Sequence, residues 1–270
     1  MRKGRNQRIK ELLLTVSDKI DAVCQISGSL VPPNRLAIQY GSGSYAEVGL
    51  EFFRYLLDYA GLERDSSVLD VGCGAGRIAL PLTAYLTAEG RYEGFDVKRD
   101  GIDYCARVFT SRFRNFSFRH ADVFNSYYNP NGKAQPENYR FAYPDNSFDI
   151  VVSTSVFTHL RPTAIERYLR ETHRVLRPNG VSLHTCFLLN ARSRESLAAG
   201  KGWQGFRHDL DGFRTSDLEH PESAIAVDED ALEAMYRRSG LGAPTIFHGD
   251  WSGIVGGTLS NQDIVIASKR

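Results

Sequence analysis

The stretch that decides the fold is "SSVLDVGCGAGRIALPL", which runs from Ser66 to Leu82. Its short, largely apolar segment from Val68 to Val71 is typical of a buried strand. Glycines at positions 72, 74 and 76 then interrupt the apolar pattern, which resumes at Ile78. A strand, a glycine turn and the start of a helix form the opening of a nucleotide-binding α/β unit.

The alternation of predicted strands and helices continues along the chain. The apolar patterns predict strands at 68–71, 91–95, 116–120, 148–154 and 181–188, and helices at 46–59, 76–87, 101–111 and 163–176. The segment "AVDEDALEAMYRRSGL" predicts a further helix, and "APTIFHGDWSG" and "QDIVIASK" predict two terminal strands. Alternating strands and helices with short connections predict a doubly wound α/β sheet of parallel strands.

The length of 270 residues suits one α/β domain with additions. We expect residues 1–35 to form an N-terminal helical extension and residues 36–270 to form the main domain. Two polar or glycine-rich stretches, 125–146 and 189–223, break the alternation and are expected to be long loops. Loops of this length in a compact domain are usually functional lids or disordered segments.

The composition excludes several classes of partner. With 33 basic and 32 acidic side chains the formal charge is +1, which argues against a nucleic-acid partner. No apolar run approaches the ~20 residues that span a bilayer, so no membrane segment is expected. The four cysteines are dispersed, which favours a cytoplasmic location and predicts no metal site. A homo-oligomer is left open.

The spacing of the glycines bears on the cofactor. The turn reads G-x-G-x-G, whereas the dinucleotide fingerprint is G-x-G-x-x-G, and position 77 is arginine. Asp70 precedes the first glycine, and its carboxylate would repel a pyrophosphate. The same carboxylate would attract a cofactor that carries an ammonium and a sulfonium group, as S-adenosylmethionine does. An NAD(P)-dependent oxidoreductase is the alternative that this pattern disfavours.

Two further carboxylates follow the next two strands. Asp96 can accept hydrogen bonds from both ribose hydroxyls, a role that dinucleotide enzymes share. Asp122 can accept from the adenine amino group, while the backbone N–H of Val123 donates to a ring nitrogen. Asp122 and Val123 therefore distinguish an S-adenosylmethionine site from a dinucleotide site better than Asp96 does.

Five collinear segments carry a family resemblance: "VLDVGCGAGR", "GFDV", "HADVF", "YPDNSFDIVVSTSVFTHL" and "YLRETHRVLRPNGV". Together they cover roughly residues 41–189, and they resemble the class I S-adenosylmethionine-dependent methyltransferases. The resemblance implies a Rossmann-like, seven-stranded, mostly parallel sheet with an antiparallel terminal strand and helices on both faces. The longer string "FNSYYNPNGK...FAYPDNSFDIVVSTSVFTHL" also looks like a bacterial subgroup that acts on sugars or secondary metabolites.

The resemblance also implies that the first loop contacts the methionine end of the cofactor. The segment "YGSGSY", from Tyr40 to Tyr45, is expected to close over that end as a lid. The full set of expected cofactor contacts is Tyr40, Asp70, Gly72, Cys73, Gly74, Gly76, Arg77, Asp96, Val97, Asp122, Val123 and Ser153.

His159 is the candidate general base, because it lies near the carboxyl end of the fourth strand, where open α/β sheets bind ligands. Its alternative role is to cap the helix that follows. Tyr143, Phe157 and Trp251 are expected to contact the substrate. The segment "STSVFTHL" lacks the Asn/Asp-Pro-Pro-Tyr pattern of amino methyltransferases, which favours O-methylation of a small molecule. A non-catalytic cofactor-binding partner subunit is the remaining alternative.

Overall fold

Eleven strands and seven helices are described in a computed structural model of the chain. The structure describes residues 30–41, 43–254 and 258–270, together with four separate positions, Ile9, Leu12, Val16 and Lys19. Most of the predicted N-terminal helical extension, residues 1–35, lies outside the described residues.

The strands, in chain order, are β1 (Ser67–Val71), β2 (Arg91–Asp96), β3 (Phe116–His120), β4 (Phe148–Ser153), β5 (Leu176–Cys186), β6 (Leu188–Leu189), β7 (His208–Leu210), β8 (Phe213–Thr215), β9 (Ile225–Asp228), β10 (Thr245–Phe247) and β11 (Asp263–Ser268). The helices are α1 (Asn34–Ala37), α2 (Tyr45–Tyr59), α3 (Ala79–Tyr85), α4 (Arg99–Cys105), α5 (Pro162–Val175), α6 (Ala191–Ala198) and α7 (Glu229–Ser239).

Seven of these strands form one sheet in the order β10-β11-β5-β4-β1-β2-β3. The strands β1, β2 and β3 pair in parallel, as do β4 and β5, whereas β11 runs antiparallel to both β5 and β10. The predicted seven-stranded, mostly parallel fold with an antiparallel end is therefore confirmed.

The chain divides into two compact units, Met1–Ala121 and Asp122–Arg270. The Met1–Ala121 unit is built on β1, whose five residues are all buried, as expected for the central strand of a parallel sheet. Helix α2 buries Phe52, Phe53 and Leu56, which recur at helical spacing. It begins at the N-cap Ser44, whose side chain accepts a hydrogen bond from the N–H of Glu47 at 3.4 Å.

The Asp122–Arg270 unit contains β4, β5, β10, β11 and a second, four-stranded sheet in the order β6-β9-β8-β7. Helix α5 buries one apolar stripe that includes Ile165 and Leu169, and it begins with Pro162 at its first position. Its carboxyl end leads directly into β5 at Leu176.

Two segments of this unit differ from the sequence prediction. Strand β5 begins at Leu176 instead of residue 181, because Leu176 pairs with Phe148 before an irregularity restores the register at Val181. Residues 189–223, predicted as a long loop, contain α6 and the β7–β8 hairpin. The hairpin closes through Asp211-Gly212, an Asp-Gly pair typical of two-residue hairpin turns, with Gly212 at a φ of 81°.

Candidate functional site

The glycine turn after β1 has left-handed backbone geometry at all three of its glycines. The φ angles are 76° at Gly72, 55° at Gly74 and 88° at Gly76, a region that L side chains rarely adopt. A Cβ added at Gly74 would lie 2.7 Å from a ring carbon of Tyr40, so this position also needs glycine for close packing. The turn is held to β2, because the N–H of Gly72 donates to the carbonyl of Phe95 at 2.8 Å.

Asp96 ends β2 and fastens the turn from the other side. Its Oδ2 accepts the N–H of Gly74 at 2.8 Å, and its Oδ1 accepts the N–H of Lys98 at 2.8 Å. Burial raises the pKa of Asp96, while these two backbone hydrogen bonds lower it. The carboxylate that the sequence assigns to the ribose is therefore already fixed in place by the backbone.

Asp70, in β1, is 1% exposed. Its Oδ2 accepts the hydroxyl hydrogen of Tyr92 at 2.6 Å, whereas its buried Oδ1 has no hydrogen-bond partner among the described residues. Burial raises the pKa of Asp70 to about 7, although the Tyr92 hydrogen bond acts in the opposite direction. A buried carboxylate oxygen without a donor fits a cationic group better than an anionic one.

The Gln39–Gly41 strap, three residues that follow α1, lies against the loops after β1 and β2. Gln39 accepts the Lys98 ammonium at 2.7 Å, the Tyr40 hydroxyl donates to Asp100, and the carbonyl of Gly41 accepts from Arg77 at 3.3 Å. The Lys98 ammonium also lies 4.8 Å from the centre of the Tyr40 ring.

Three expected cofactor contacts in this unit have other partners. The Arg77 guanidinium contacts the strap and the Tyr45 ring, 5.7 Å away. Cys73 is buried, and burial raises the pKa of its thiol well above the usual value. Val97 presents its carbonyl to His120 Nε2 at 3.1 Å.

In the Asp122–Arg270 unit, His159 ends a short 3-10 turn, Phe157–His159, after β4. Its Nδ1 lies 2.9 Å from the carbonyl oxygen of Glu222, and its Nε2 lies 3.3 Å from the hydroxyl of Tyr128. A carbonyl oxygen can only accept, so Nδ1 carries the hydrogen and Nε2 holds the lone pair. Burial lowers the pKa of His159, which keeps the imidazole neutral.

The expected adenine contacts lie at the start of this unit. The Asp122 carboxylate is 44% exposed and 4.0 Å from the Lys133 ammonium, and the Asp122 carbonyl accepts from the N–H groups of Lys133 and Ala134. Val123 is buried, and its carbonyl accepts from Asn129 at 2.9 Å.

Other expected site residues pack in the core of the same unit. The hydroxyl of Ser153 is buried against His184 Nδ1 at 2.7 Å, and Phe157 stacks on that imidazole at 4.6 Å. Tyr143 is 8% exposed and its ring meets Phe148 edge-on at 5.2 Å. All three side chains are therefore buried against core residues, and their expected contacts with cofactor or substrate stay predictions.

Trp251 lies between an aromatic cluster and a cavity. Its ring packs with Phe187 and Phe206, and its indole N–H donates to Asp263 at 2.7 Å. It also borders a cavity of about 300 Å³ that His248 helps to line. Its contact with a substrate stays a prediction.

The sequence reasoning missed Tyr128 and Glu222 as partners of His159. These residues are 31 and 63 positions from His159. No local pattern links them, since only the fold brings them together.

Among the described residues, no group of His, Cys, Asp and Glu side chains could hold a metal ion.

Comparisons with known proteins bear on the domain and the fold. Residues 68–180 match the family model of a methyltransferase domain. The chain is 25% identical over 196 residues to the probable methyltransferase ltbC of Aspergillus luteorubrus, covering 70% of this chain and 61% of that protein. It is 30% identical over 120 residues to the tRNA N(3)-methylcytidine methyltransferase Mettl2 of Drosophila melanogaster, covering 43% of this chain and 33% of that protein.

The chain therefore spans less than two thirds of the length of either relative. A solved structure, the PH0226 protein from Pyrococcus horikoshii OT3, shares the fold with a TM-score of 0.58 at 17% identity, covering 86% of this chain and 93% of that one. Residues 68–180 therefore carry a methyltransferase domain.

Proposed function

We propose that the protein transfers a methyl group from S-adenosylmethionine to a hydroxyl group of a small molecule. The single observation that carries the proposal is the buried Asp70 carboxylate, whose Oδ1 has no hydrogen-bond partner among the described residues. A buried charge without a partner is costly, and the ammonium group of the cofactor would supply the missing donor. A diphosphate would instead add negative charge beside it.

Asp70, Asp96 and the glycine turn would hold the cofactor. When bound, S-adenosylmethionine supplies a methyl carbon that its sulfonium activates. Asp96 would accept the ribose hydroxyls, since the Gly74 and Lys98 N–H groups already fix its carboxylate. Each carboxylate oxygen can accept more than one hydrogen bond, so this role does not require the turn to open.

His159 supports the acceptor half of the proposal. An aliphatic or aromatic hydroxyl is a weak nucleophile until its proton is removed, and a neutral imidazole can remove it. The Nδ1–H tautomer leaves the lone pair on Nε2. The position after β4 is also where open α/β sheets bind ligands.

The charge balance favours a small acceptor over RNA, the acceptor named for the fly relative. The chain carries a formal charge of +1, so it lacks the basic excess that RNA binding usually needs. We further propose a cytoplasmic location, because Cys73, Cys105 and Cys186 are free and buried thiols. No helix in the described part of the chain is long and apolar enough to cross a bilayer.

Calorimetry with S-adenosylhomocysteine and with NAD tests the cofactor assignment. We expect S-adenosylhomocysteine to bind and NAD to fail. Asp70→Asn should weaken S-adenosylhomocysteine binding by about 5- to 150-fold, the loss of one charge-assisted hydrogen bond. The matched control is Asp103→Asn, which makes the same charge change at an exposed position of α4. Binding of NAD alone would reject the proposal.

Turnover separates an enzyme from a non-catalytic cofactor-binding subunit. We expect His159→Gln to retain affinity for S-adenosylhomocysteine and to lower methyl transfer by about 10²- to 10⁴-fold, the range typical of a general base. Equal rates in the variant and the wild-type protein would remove His159 from the mechanism.

A further inference from the structure

We propose that Tyr128 is the residue that meets the methyl acceptor, that it passes the acceptor's proton to His159, and that the acceptor is an aromatic hydroxyl compound. This inference rests on the methyl-transfer function proposed above. It assigns the contact with substrate to Tyr128 and places His159 behind it.

Both ring nitrogens of His159 have a hydrogen-bond partner. Nδ1 donates to the Glu222 carbonyl at 2.9 Å, and Nε2 accepts from the Tyr128 hydroxyl at 3.3 Å. The imidazole lone pair is therefore already directed at Tyr128. A phenolic oxygen donates one hydrogen and also accepts, so Tyr128 can take a proton as it releases its own.

Asn125 holds the backbone on both sides of this contact. Asn125 donates to the carbonyl of His159 at 3.0 Å, and its Oδ1 accepts the N–H groups of Tyr127 and Tyr128 at 3.0 and 2.9 Å. A single side chain thus fixes the backbone of both relay members.

Glu222 holds the far end of the relay. Its carboxylate is buried and accepts from the N–H and hydroxyl of Ser126, each at 2.7 Å, and from Arg161 at 3.1 Å. These contacts anchor the backbone carbonyl that selects the His159 tautomer. Glu222 is a positioning residue for the relay, in the way that a third group orients the base of a catalytic triad.

A row of aromatic rings beside the relay indicates the class of acceptor. The rings of Tyr127 and Tyr128 meet edge-on at 4.9 Å, and those of Tyr128 and His159 also meet at 4.9 Å. Tyr127 is 55% exposed, and His220 lies 6.3 Å from it. This aromatic row offers a flat acceptor ring a favourable contact at Tyr127, its exposed end.

His159 is a weak base, and a weak base suits a phenolic acceptor better than an aliphatic one. Burial lowers the pKa of His159 below its ordinary value, so the relay ends in a weak base. A phenol has a pKa of about 10, whereas an aliphatic hydroxyl, like water, lies about five units higher. The smaller difference favours the phenol, since proton transfer becomes more efficient as the two pKa values approach.

Protons and electrons balance in the proposed transfer. The acceptor's O–H bond breaks, its proton moves to the Tyr128 oxygen, and the proton of Tyr128 moves to His159 Nε2. The acceptor oxygen keeps the O–H electron pair and forms the new bond to the methyl carbon. The pair that had joined this carbon to sulfur remains on the thioether product, and the imidazolium later loses its proton to solvent.

Tyr128→Phe tests the relay, with 4-methylumbelliferone as the phenolic probe and S-adenosylmethionine as donor. We expect a loss of roughly 10²-fold or more in methylation rate, similar to that of His159→Gln, with unchanged S-adenosylhomocysteine binding. Tyr139→Phe is the matched control, because Tyr139 lies in the same loop with its ring against Phe141 and Tyr168. The relay would be overturned if Tyr128→Phe methylated the probe at the wild-type rate while His159→Gln was inactive. That result would show that the acceptor reaches His159 directly.

Nitrogen NMR of the His159 side chain gives a readout that does not depend on turnover. We expect the Nδ1–H tautomer in the wild-type protein and a higher His159 pKa in Tyr128→Phe, because the hydroxyl donor stabilises the neutral ring. Glu222→Ala should shift the ring toward the Nε2–H tautomer. An unchanged His159 spectrum in both folded variants would contradict the proposed contacts.

Methyl α-glucopyranoside is the aliphatic comparison for the acceptor class. We expect methylation of 4-methylumbelliferone alone, and an increase of about 5-fold or more in its KM in Tyr127→Ala, the loss expected for one aromatic contact. Methylation of the glucoside in preference, or of neither probe by protein that binds S-adenosylhomocysteine, would reject the phenolic class. Failure to bind S-adenosylhomocysteine would instead reject the proposed function itself.

Discussion

Asp70 couples the stability of the protein to pH. Its folded-state pKa of about 7 exceeds the unfolded value of about 3.9, so the folded chain holds more protons than the unfolded chain between these limits. The contribution of Asp70 to the free energy of unfolding is therefore largest below about pH 4 and is lost as pH rises to about 7.

Asp70→Asn removes this titration while keeping the shape of the side chain. We expect the wild-type free energy of unfolding, measured by urea denaturation, to fall relative to that of the variant as pH rises from about 4 to about 7. The relative change is on the order of 4 kcal/mol, since one pKa unit corresponds to about 1.4 kcal/mol. A difference between the two proteins that stays constant over this range would refute the raised pKa.

Asp96 has a different, cofactor-linked prediction. Asp96→Ala should weaken S-adenosylhomocysteine binding by about 1–3 kcal/mol, because it removes an acceptor for the ribose hydroxyls and frees the N–H groups of Gly74 and Lys98. Asp96→Asn keeps one carbonyl oxygen and should lose less. Calorimetry on folded protein measures both, and unchanged affinity in Asp96→Ala would disprove the ribose assignment.

Some residues of the candidate site can be recognised from the sequence around them, whereas others depend on contacts between distant parts of the chain. Asp70, Asp96 and the glycines could be predicted, because each follows or lies in a strand whose end is visible in the sequence. Tyr128 and Glu222 could not, since their contacts with His159 span long chain separations. The burial of Ser153, Tyr143 and Phe157 could not be predicted either, because positions near β4 do not show the direction of a side chain.

Among the elements, α5 fixes the segment before β4 through one arginine. Arg174 donates to the carbonyls of Phe141 and Tyr143 at 2.9 and 2.8 Å, to Asp145 at 2.7 Å and to the buried carboxylate of Glu171. Without Arg174, the Glu171 carboxylate keeps Arg167 as a charged partner at 3.1 Å, but the two backbone carbonyls lose their donor.

We therefore expect Arg174→Ala to lower the free energy of unfolding by about 1–3 kcal/mol in chemical denaturation. Cleavage by a protease within residues 139–146 should accelerate as well. Arg177→Ala is the control, because its pair with Asp149 is exposed and should contribute about 1 kcal/mol or less. Equal losses in the two variants would show that Arg174 acts as an ordinary surface residue.

Element prediction succeeded where a repeating pattern was long enough to read. β1 to β4 and α5 lie within two residues of the predicted bounds, whereas β7 and β8 have three residues each and show no periodicity. Their Asp211-Gly212 turn was a usable signal in a segment otherwise interpreted as a loop.

At the scale of the whole molecule, the near-zero formal charge predicts weak binding of RNA. With a formal charge of +1, the chain should bind transfer RNA weakly at physiological salt. Gel-shift titration at two salt concentrations measures this. Tight binding that weakens steeply with salt would indicate a concentrated basic surface and would favour RNA as the acceptor.

Both tryptophans of the chain, Trp203 and Trp251, lie in the Asp122–Arg270 unit, and Phe187 contacts each of them, at 5.9 and 5.3 Å. Trp251 is 1% exposed and Trp203 is 56% exposed. Tryptophan fluorescence therefore reports only on that unit. The buried Trp251 should emit at shorter wavelength and the exposed Trp203 at longer wavelength. A melt followed by this emission, compared with one followed by far-ultraviolet circular dichroism, shows directly whether the two halves lose their structure in one cooperative step or in succession.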